Sequence, residues 1–292
     1  MTIYTANKIN LIKKGNNYYF IDNNGIKQKY LNIRNQFIFS RVLQNKDIAK
    51  KIGELLLGKL LGEIQFINTE HNIALCNDKK AVRLDAMFTT NEEVVNIEMQ
   101  NNKNINFLKR SFVYECELLV YSTEKNTDYI DIKKTYVIFI NNFDLFNNGE
   151  IKVEFIRMCR ETGSISDIVK TIFYNLKSKK IDEKTDLGKF LKYCTDGKIR
   201  DNFTRLIDHE VLKLNLNEGV RTDYMKYRYD KMELIQEGRI EGIAEGRVEG
   251  LAEGRTEVAK NLLTKLNNKE ISEVTNLSMS EIQKLREEMK NI

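Results

Sequence analysis

The 292-residue chain contains no proline, so the marks that proline leaves at helix starts and turns are missing. It has only two histidines, His71 and His209. That is too few for a zinc site of the usual His/Cys kind, and it leaves a Ser/His/Asp triad short of a base. The four cysteines, Cys76, Cys116, Cys159 and Cys194, stand far apart and form no CxxC pair. They read as reduced, mostly buried thiols. No apolar run approaches the ~18 residues of a membrane span, and residues 1–10 lack the long apolar core of a signal peptide. The expectation is a cytoplasmic protein with no membrane partner.

Charged residues make up 30% of the chain and hydrophobic residues 41%, the balance of an ordinary globular protein. The length suits one or two domains with a buried core. The net charge of +5 has a location. Residues 1–34 carry Lys8, Lys13, Lys14, Lys27, Lys29 and Arg34 against Asp22 alone, and the remaining charges cancel. This basic N-terminal arm can touch phosphates or serve as a solvated surface.

Residues 18–30 read as a small hairpin turning at Asn24-Gly25. Asn45 suits the N-cap of a helix reaching about Leu61, with Ile48, Ile52 and Leu55 on its apolar stripe. A strand follows near residues 64–68. Two period-two runs, residues 82–88 and 94–100, flank a short polar connection and should pair antiparallel. Helical period returns over residues 105–121 as Ile105, Leu108, Phe112, Cys116 and Leu119, and residues 136–140 form a buried-type strand. Helix, three strands, helix, strand is the order of an α/β layer arrangement with a mixed sheet. Residues 151–236 read as mostly helical, with candidate helices at 167–176, 187–193 and 201–216.

Side chains alternate across a strand. In the first strand of the pair, Val82, Leu84, Ala86 and Phe88 share one face, and Arg83, Asp85 and Met87 the other. In the second, Val95, Ile97 and Met99 oppose Val94, Asn96, Glu98 and Gln100. Placing the apolar sets on the core forces Asp85, Glu98 and Gln100 onto one opposite face. Two registers fit: Asp85 lies opposite Asn96 and diagonal to Glu98, or directly opposite Glu98. Both bring the carboxylates within ~8 Å, close enough to share a cation. Mg²⁺ takes one or two carboxylates plus waters and phosphate oxygens, and the Met99 main-chain carbonyl can add a hard oxygen. A polar outer face with no ligand explains the same alternation.

The ordered set Arg83-Leu84-Asp85, Asn96-Ile97-Glu98-Met99-Gln100 and Lys109-Arg110-x-x-x-Tyr114 resembles the Rpn-type family of recombination-promoting nucleases and transposases. That family lies within the PD-(D/E)XK nuclease superfamily. The resemblance runs upstream through Gln44-Asn45-Lys46 and Glu54-Leu55-Leu56-Leu57-Gly58. Downstream it runs through Tyr136-Val137-Ile138-Phe139-Ile140 and Phe143-Asp144-Leu145-Phe146, then more weakly to about residue 255. It implies a restriction-endonuclease-like core and metal-assisted hydrolysis of DNA. Asp85 and Glu98 would bind Mg²⁺ or another divalent cation, with Glu54 as a further acidic candidate. Gln100 stands where the superfamily usually has lysine. Arg110 and Tyr114, four apart on one helix face opposite Leu108 and Phe112, would hold the scissile phosphate; surface ion pairing is the alternative. The family's frequent second aromatic before the tyrosine is Val113 here. In the cell such a family implies recombination, mobile-element activity or defence; a DNA-binding or assembly protein on a silent nuclease fold is the competing reading.

From residue 237 the composition changes. Gly238, Gly242, Gly246, Gly250 and Gly254 recur every four residues among Glu, Arg and Ala. Each Gly costs a helix about 1 kcal/mol relative to Ala. A glycine stripe lets a second helix approach closely, which suggests a homo-oligomer formed through this repeat; a flexible spacer and a lone solvated helix are the alternatives. Two short amphipathic helices follow at residues 270–277 and 280–289, the second with Ser278 and Glu281 as a capping box. They resemble the last two helices of a helix-turn-helix. The expected segments are an arm over 1–34, a nuclease core over 35–150, a helical extension over 151–236 and the repeat with its terminal helices over 237–292.

Overall fold

The computed structural model describes residues 11–14, 17–22, 25–73, 82–104, 106–121, 123 and 128–290. The described residues of the basic arm form a small antiparallel sheet of β1 (Ile12–Lys14), β2 (Asn17–Ile21) and β3 (Lys27–Tyr30). The expected hairpin is the β2–β3 pair, with Tyr18 opposite Tyr30 and Ile21 opposite Lys27. Gly25 sits in its turn at φ +75°, a conformation that costs glycine little. Asn24 and Lys8 lie outside the described residues. The sheet is anchored rather than loose. Asn215 accepts the Leu31 N–H at 2.8 Å and donates to the Leu31 carbonyl at 2.9 Å, and Phe20, Leu31 and Ile33 are buried.

Asparagine caps begin the next two helices. Asn35 caps α1 (Gln36–Val42) and Asn45 caps α2 (Lys46–Leu57), each accepting first-turn N–H groups. α2 ends at the left-handed Gly58, short of Leu61, and buries Ile48, Ile52 and Leu56, with Leu55 only half-buried. Gly53 is there for close approach: a Cβ would meet Leu61 and Phe88 at 2.8 Å.

The main sheet has six strands: β4 (Phe66–Ile73), β5 (Val82–Thr89), β6 (Glu93–Gln100), β7 (Lys134–Asn141), β8 (Lys152–Met158) and β9 (Ile165–Asn175). Their order is β4-β5-β6-β7-β9-β8. β6, β7 and β9 are parallel, and the pairs at the edges are antiparallel. α3 (Phe107–Tyr121) covers one face, while α1 and α2 pack on the other, where the Tyr174 hydroxyl donates to the Leu56 carbonyl. The mixed α/β layer is thus observed, with two more strands than the sequence suggested.

Those two strands correct the helical reading of residues 151–175. The stretch at 167–176 is β9, paired in parallel with β7. Its apolar residues cluster in twos at Ile168-Val169 and Ile172-Phe173, a spacing that a helix also satisfies. Burial on both sheet faces removes the alternation that marks an exposed strand. The helices beyond agree with expectation: α4 (Asp186–Asp196) and α5 (Asn202–Leu216), the latter capped by Asp201.

α3 brings a second correction. Its buried face is Phe107, Ser111, Tyr114, Glu117 and Leu118, not Leu108, Phe112 and Cys116, which are exposed; Leu119 is half-buried. Ile105 lies outside the described residues. Two apolar stripes share this helix, and the aromatic one meets Phe139 and Phe173 of the sheet. The cysteine expectation also changes. Cys116 and Cys159 are exposed and Cys194 is buried, all unbridged, while Cys76 lies outside the described residues.

The chain divides into two compact units, residues 1–224 and 225–292. The glycine repeat lies in α6 (Glu218–Leu262), one continuous helix whose one buried residue is Ala259. α7 (Asn268–Thr275) and α8 (Met279–Lys290) close a small core of Ala259, Leu263, Ile271 and Ile282. Ser278 and Glu281 form the expected reciprocal cap, and Arg286 ties α8 to the Leu263 and Leu266 carbonyls at 2.6 Å each. Among the described residues no helix is long and apolar enough to cross a membrane.

Candidate active site

β5 and β6 pair with Ala86 opposite Ile97 and Phe88 opposite Val95. One step further, this register sets Asp85 directly opposite Glu98, the second of the two registers the sequence allows. At that step carboxylates enter the backbone pairing. The Asp85 N–H donates to Glu98 Oε1 at 2.8 Å, and the Met99 N–H donates to Asp85 Oδ2 at 2.9 Å. Each carboxylate is therefore pinned by the opposite strand's main chain. The N–H and C=O of one strand residue point to the same edge. The Met99 carbonyl thus faces the side of β6 on which Asp85 lies.

The face holding Asp85, Glu98 and Gln100 is closed over by α3 rather than left to solvent. Glu98 is 1% exposed and Gln100 6%, while Asp85 is half-buried. Asn96 donates to Glu98 Oε1 at 3.0 Å, and the Gln100 amide approaches Oε2 at 3.4 Å. Burial, followed by the neighbouring Asp85 charge, pushes the Glu98 carboxyl well above the usual carboxylate range. Hydrogen bonds from Asp85 and Asn96 and the Arg110 charge oppose that rise only in part.

Arg110 and Tyr114 reach this face from α3. The guanidinium lies 5.2 Å from the centre of the Phe107 ring and 5.5 Å from that of Tyr114. The Tyr114 hydroxyl is driven upward in pKa by burial and then by the Glu98 charge. The structure thus brings Asp85, Glu98, Gln100, Arg110 and Tyr114 together. It does not bring Glu54 to them. That carboxylate accepts the Leu61 N–H at 3.2 Å, from a helix packed on the opposite face of the sheet. Among the described residues no three His, Cys, Asp or Glu side chains converge.

Three further polar residues lie on this face of the sheet. Asn96 shares the Glu98 face by strand alternation, and its amide donates to that carboxylate. Asn141 and Asn175 continue the row of Gln100 across β7 and β9. Asn96 Oδ1, Asn141 Oδ1, Asn175 Nδ2 and Arg110 Nε are buried without a hydrogen-bond partner among the described residues. Each such group costs about 1–3 kcal/mol when left unpaired. Unpaired buried groups near a raised carboxyl are features that a bound ligand or water would satisfy. Ligands in open α/β sheets sit at the carboxyl ends of parallel strands, where Gln100, Asn141 and Asn175 lie. Only the polar endings of the apolar runs, Gln100 and Asn141, hint at them in sequence.

Two carboxylates and a carbonyl are hard oxygen donors and suit a divalent cation that keeps waters or phosphate oxygens in its shell. Neither the search of curated proteins nor that of solved structures gave a match. One family does match, described as PD-(D/E)XK nuclease family transposase, over residues 34–214. That span is more than half of the chain and contains the Asp85–Glu98 pair, Gln100, Arg110 and Tyr114; the chain belongs to the PD-(D/E)XK nuclease family transposases.

Proposed function

We propose that the protein is a divalent-metal-dependent DNA endonuclease that hydrolyses phosphodiester bonds, acting in the cytoplasm in recombination, mobile-element activity or defence. The observation that carries this reading is the crossed Asp85–Glu98 pair beneath Arg110 and Tyr114. Asp85, Glu98 and the Met99 carbonyl would hold the cation. Mg²⁺ there would neutralise phosphate charge and make water a better nucleophile at neutral pH.

The chain's own groups supply positioning, which is most of what phosphoryl transfer requires. Glu98 would be ionised by a bound cation, and its bonds from Asp85 and Asn96 hold its carboxylate in place. Arg110 offers N–H groups and charge to a non-bridging phosphate oxygen. Its rings, Phe107 and Tyr114, fix the guanidinium plane. Gln100 brings a neutral amide and carbonyl where lysine is usual, so it orients water rather than deprotonating it. The decisive experiment incubates the purified chain with plasmid DNA in Mg²⁺ and in excess EDTA. Cutting in Mg²⁺ alone supports the reading, and equal cutting in EDTA removes it. Tight DNA binding with no cutting in any divalent cation selects the silent DNA-binding alternative.

We also propose that the protein assembles with itself through α6. Ile240, Ile243, Val248 and Leu251 are all more than half exposed, and a Cβ on any repeat glycine would meet open space. A two-fold pair of sites would serve the two strands of a duplex.

A further inference from the structure

Beyond the carboxylate pair lies a polar groove, connected to it by the chain itself. Asn101 follows Gln100 at the end of β6, and Asn142 follows Asn141 at the end of β7. These two side chains form one end of the groove, which has a volume of about 360 Å³ and continues along Asn32, Asn35, Lys29 and Arg34. Arg34 holds the junction. Its guanidinium donates to Asn142 Oδ1 at 3.4 Å, and its carbonyl accepts from Asn101 Nδ2 at 2.6 Å. Tyr18, Tyr30, Asn32 and Arg34 also line an adjoining cavity of about 520 Å³ between the small sheet and α4–α5. That size lies within the range of cavities that take small ligands and cofactors.

The lining chemistry is specific. Tyr18, Tyr30 and Tyr193 line the cavity together with Lys13 and Arg34. Asp208 accepts the Tyr193 hydroxyl at Oδ1, 3.1 Å away, and its other oxygen has no partner among the described residues. Burial raises the Asp208 carboxyl above its ordinary range. The other acid on the wall, Asp196, is spent on Arg200, whose guanidinium it meets at 2.8 Å. Rings beside one open acceptor fit a planar, amine-bearing base. Lysine, arginine and asparagine amides in an open groove fit a phosphodiester backbone. A duplex is too wide for the cavity, whereas an unpaired base enters it.

We propose that the groove and cavity bind a single strand of DNA, with phosphates along Lys29 and Arg34 and one base among Tyr18, Tyr30 and Tyr193. This rests on the nuclease reading for its biological sense. The path starts at Asn101, three residues and about 10 Å along the strand from Glu98, within reach of a few nucleotides. The small sheet, which carries Lys13, Lys14, Lys27 and Lys29, is then the clamp that holds a strand entering or leaving the carboxylate pair.

The test uses the full chain in EDTA, where no cutting occurs, with a fluorescein-labelled 20-nucleotide single strand and the blunt duplex of the same sequence. Anisotropy titrations over a series of salt concentrations should show tighter binding of the single strand. Lys29→Gln, an exposed change with no folding risk, and Arg34→Gln should each weaken that binding several-fold. Each should also reduce the salt slope by about 0.7, the value for one lost phosphate contact on a single strand. Ultraviolet cross-linking of a strand carrying 5-iodocytosine, which keeps the exocyclic amine, should label a peptide containing Tyr18, Tyr30 or Tyr193. Unchanged affinity and slope in both variants, or labelling confined to other peptides, overturns the proposal. A chain that cuts plasmid in Mg²⁺ but shows either result loses the groove and keeps the nuclease. A chain that binds strands through Lys29 and Arg34 but never cuts loses the nuclease and keeps the groove.

Discussion

The β5–β6 hairpin and the repeat of α6 break the same rule in opposite directions. The hairpin region buries Asn96, Glu98, Gln100 and Asn141, polar groups that would rather stay in water. The repeat exposes Ile240, Ile243, Val248 and Leu251, apolar groups that would rather leave it. Folding normally sorts the two kinds, and the informative cases are those it leaves unsorted. Buried, incompletely paired polar atoms call for a small charged ligand. Exposed apolar atoms along a helix call for another polypeptide surface. On the proposed function, the first region gives up stability for a ligand and the second for a partner.

The largest expected effect is on the hairpin. Asp85→Asn and Glu98→Gln keep size and remove ligand charge, so each should lower DNA cleavage by at least about 10²-fold, the scale of losing one key electrostatic group in an active site. Plasmid nicking assays read this, with circular dichroism confirming the fold. Wild-type cutting by either folded variant would move the site elsewhere.

Next comes the partner side of the contrast. A chain ending at Gln236 should show a smaller oligomeric state than the full chain by light scattering. It should still nick plasmid but make fewer double-strand breaks. The same oligomer number in both chains would leave α6 as a spacer or a lone solvated helix.

The third effect is one of stability. Glu98 is raised in the folded state, so the folded chain holds its proton at pH values where the unfolded chain has lost it. Stability must then fall as pH rises above the usual glutamate range, until the folded carboxyl also ionises. Without metal, Glu98→Gln should therefore be more stable than the parent near neutral pH, by on the order of 1 kcal/mol or more, about 2–4 °C in Tm. The gap should shrink towards pH 4 and on adding divalent cation to the parent. A variant less stable than the parent at neutral pH would mean that the carboxylate is already compensated within the fold.

The smallest effect separates two fates for the glycines. In a lone helix, Gly246→Ala should stabilise the second unit by about 1 kcal/mol. In a close-packed seam the added methyl should instead weaken assembly, read as dissociation at higher protein concentration in analytical ultracentrifugation. Stabilisation with unchanged assembly would exclude glycine-mediated contact at this position.

Much of the molecule is legible in short stretches of sequence. Asn45 marks a helix start because its side chain satisfies N–H groups only two and three residues away. Asp85 and Glu98 share a face because side chains alternate along each strand and their apolar neighbours must meet. The family match agrees with the resemblance carried by these residues. What failed was longer in range. β9 read as a helix because its apolar pairs fit both periods, and only its pairing with β7 separates them. Phe112 and Leu108 read as core because they are apolar at helical spacing, yet the competing stripe of Phe107, Tyr114 and Leu118 matches the aromatic face of the sheet.

Sequence alone thus determined the local facts: the caps, the hairpins, the carboxylate face and the even spacing of glycines. Each depends on covalent geometry and on neighbours a few residues away. Tertiary structure decided the register that sets Asp85 opposite Glu98, the side of α3 that turns inward, and the placement of Glu54 away from the pair. It also set the small basic sheet over α4 and α5, where Asn215 holds Leu31 from 184 residues away. Such choices compare the burial and hydrogen bonding of whole surfaces, and those sums exist only once distant segments meet.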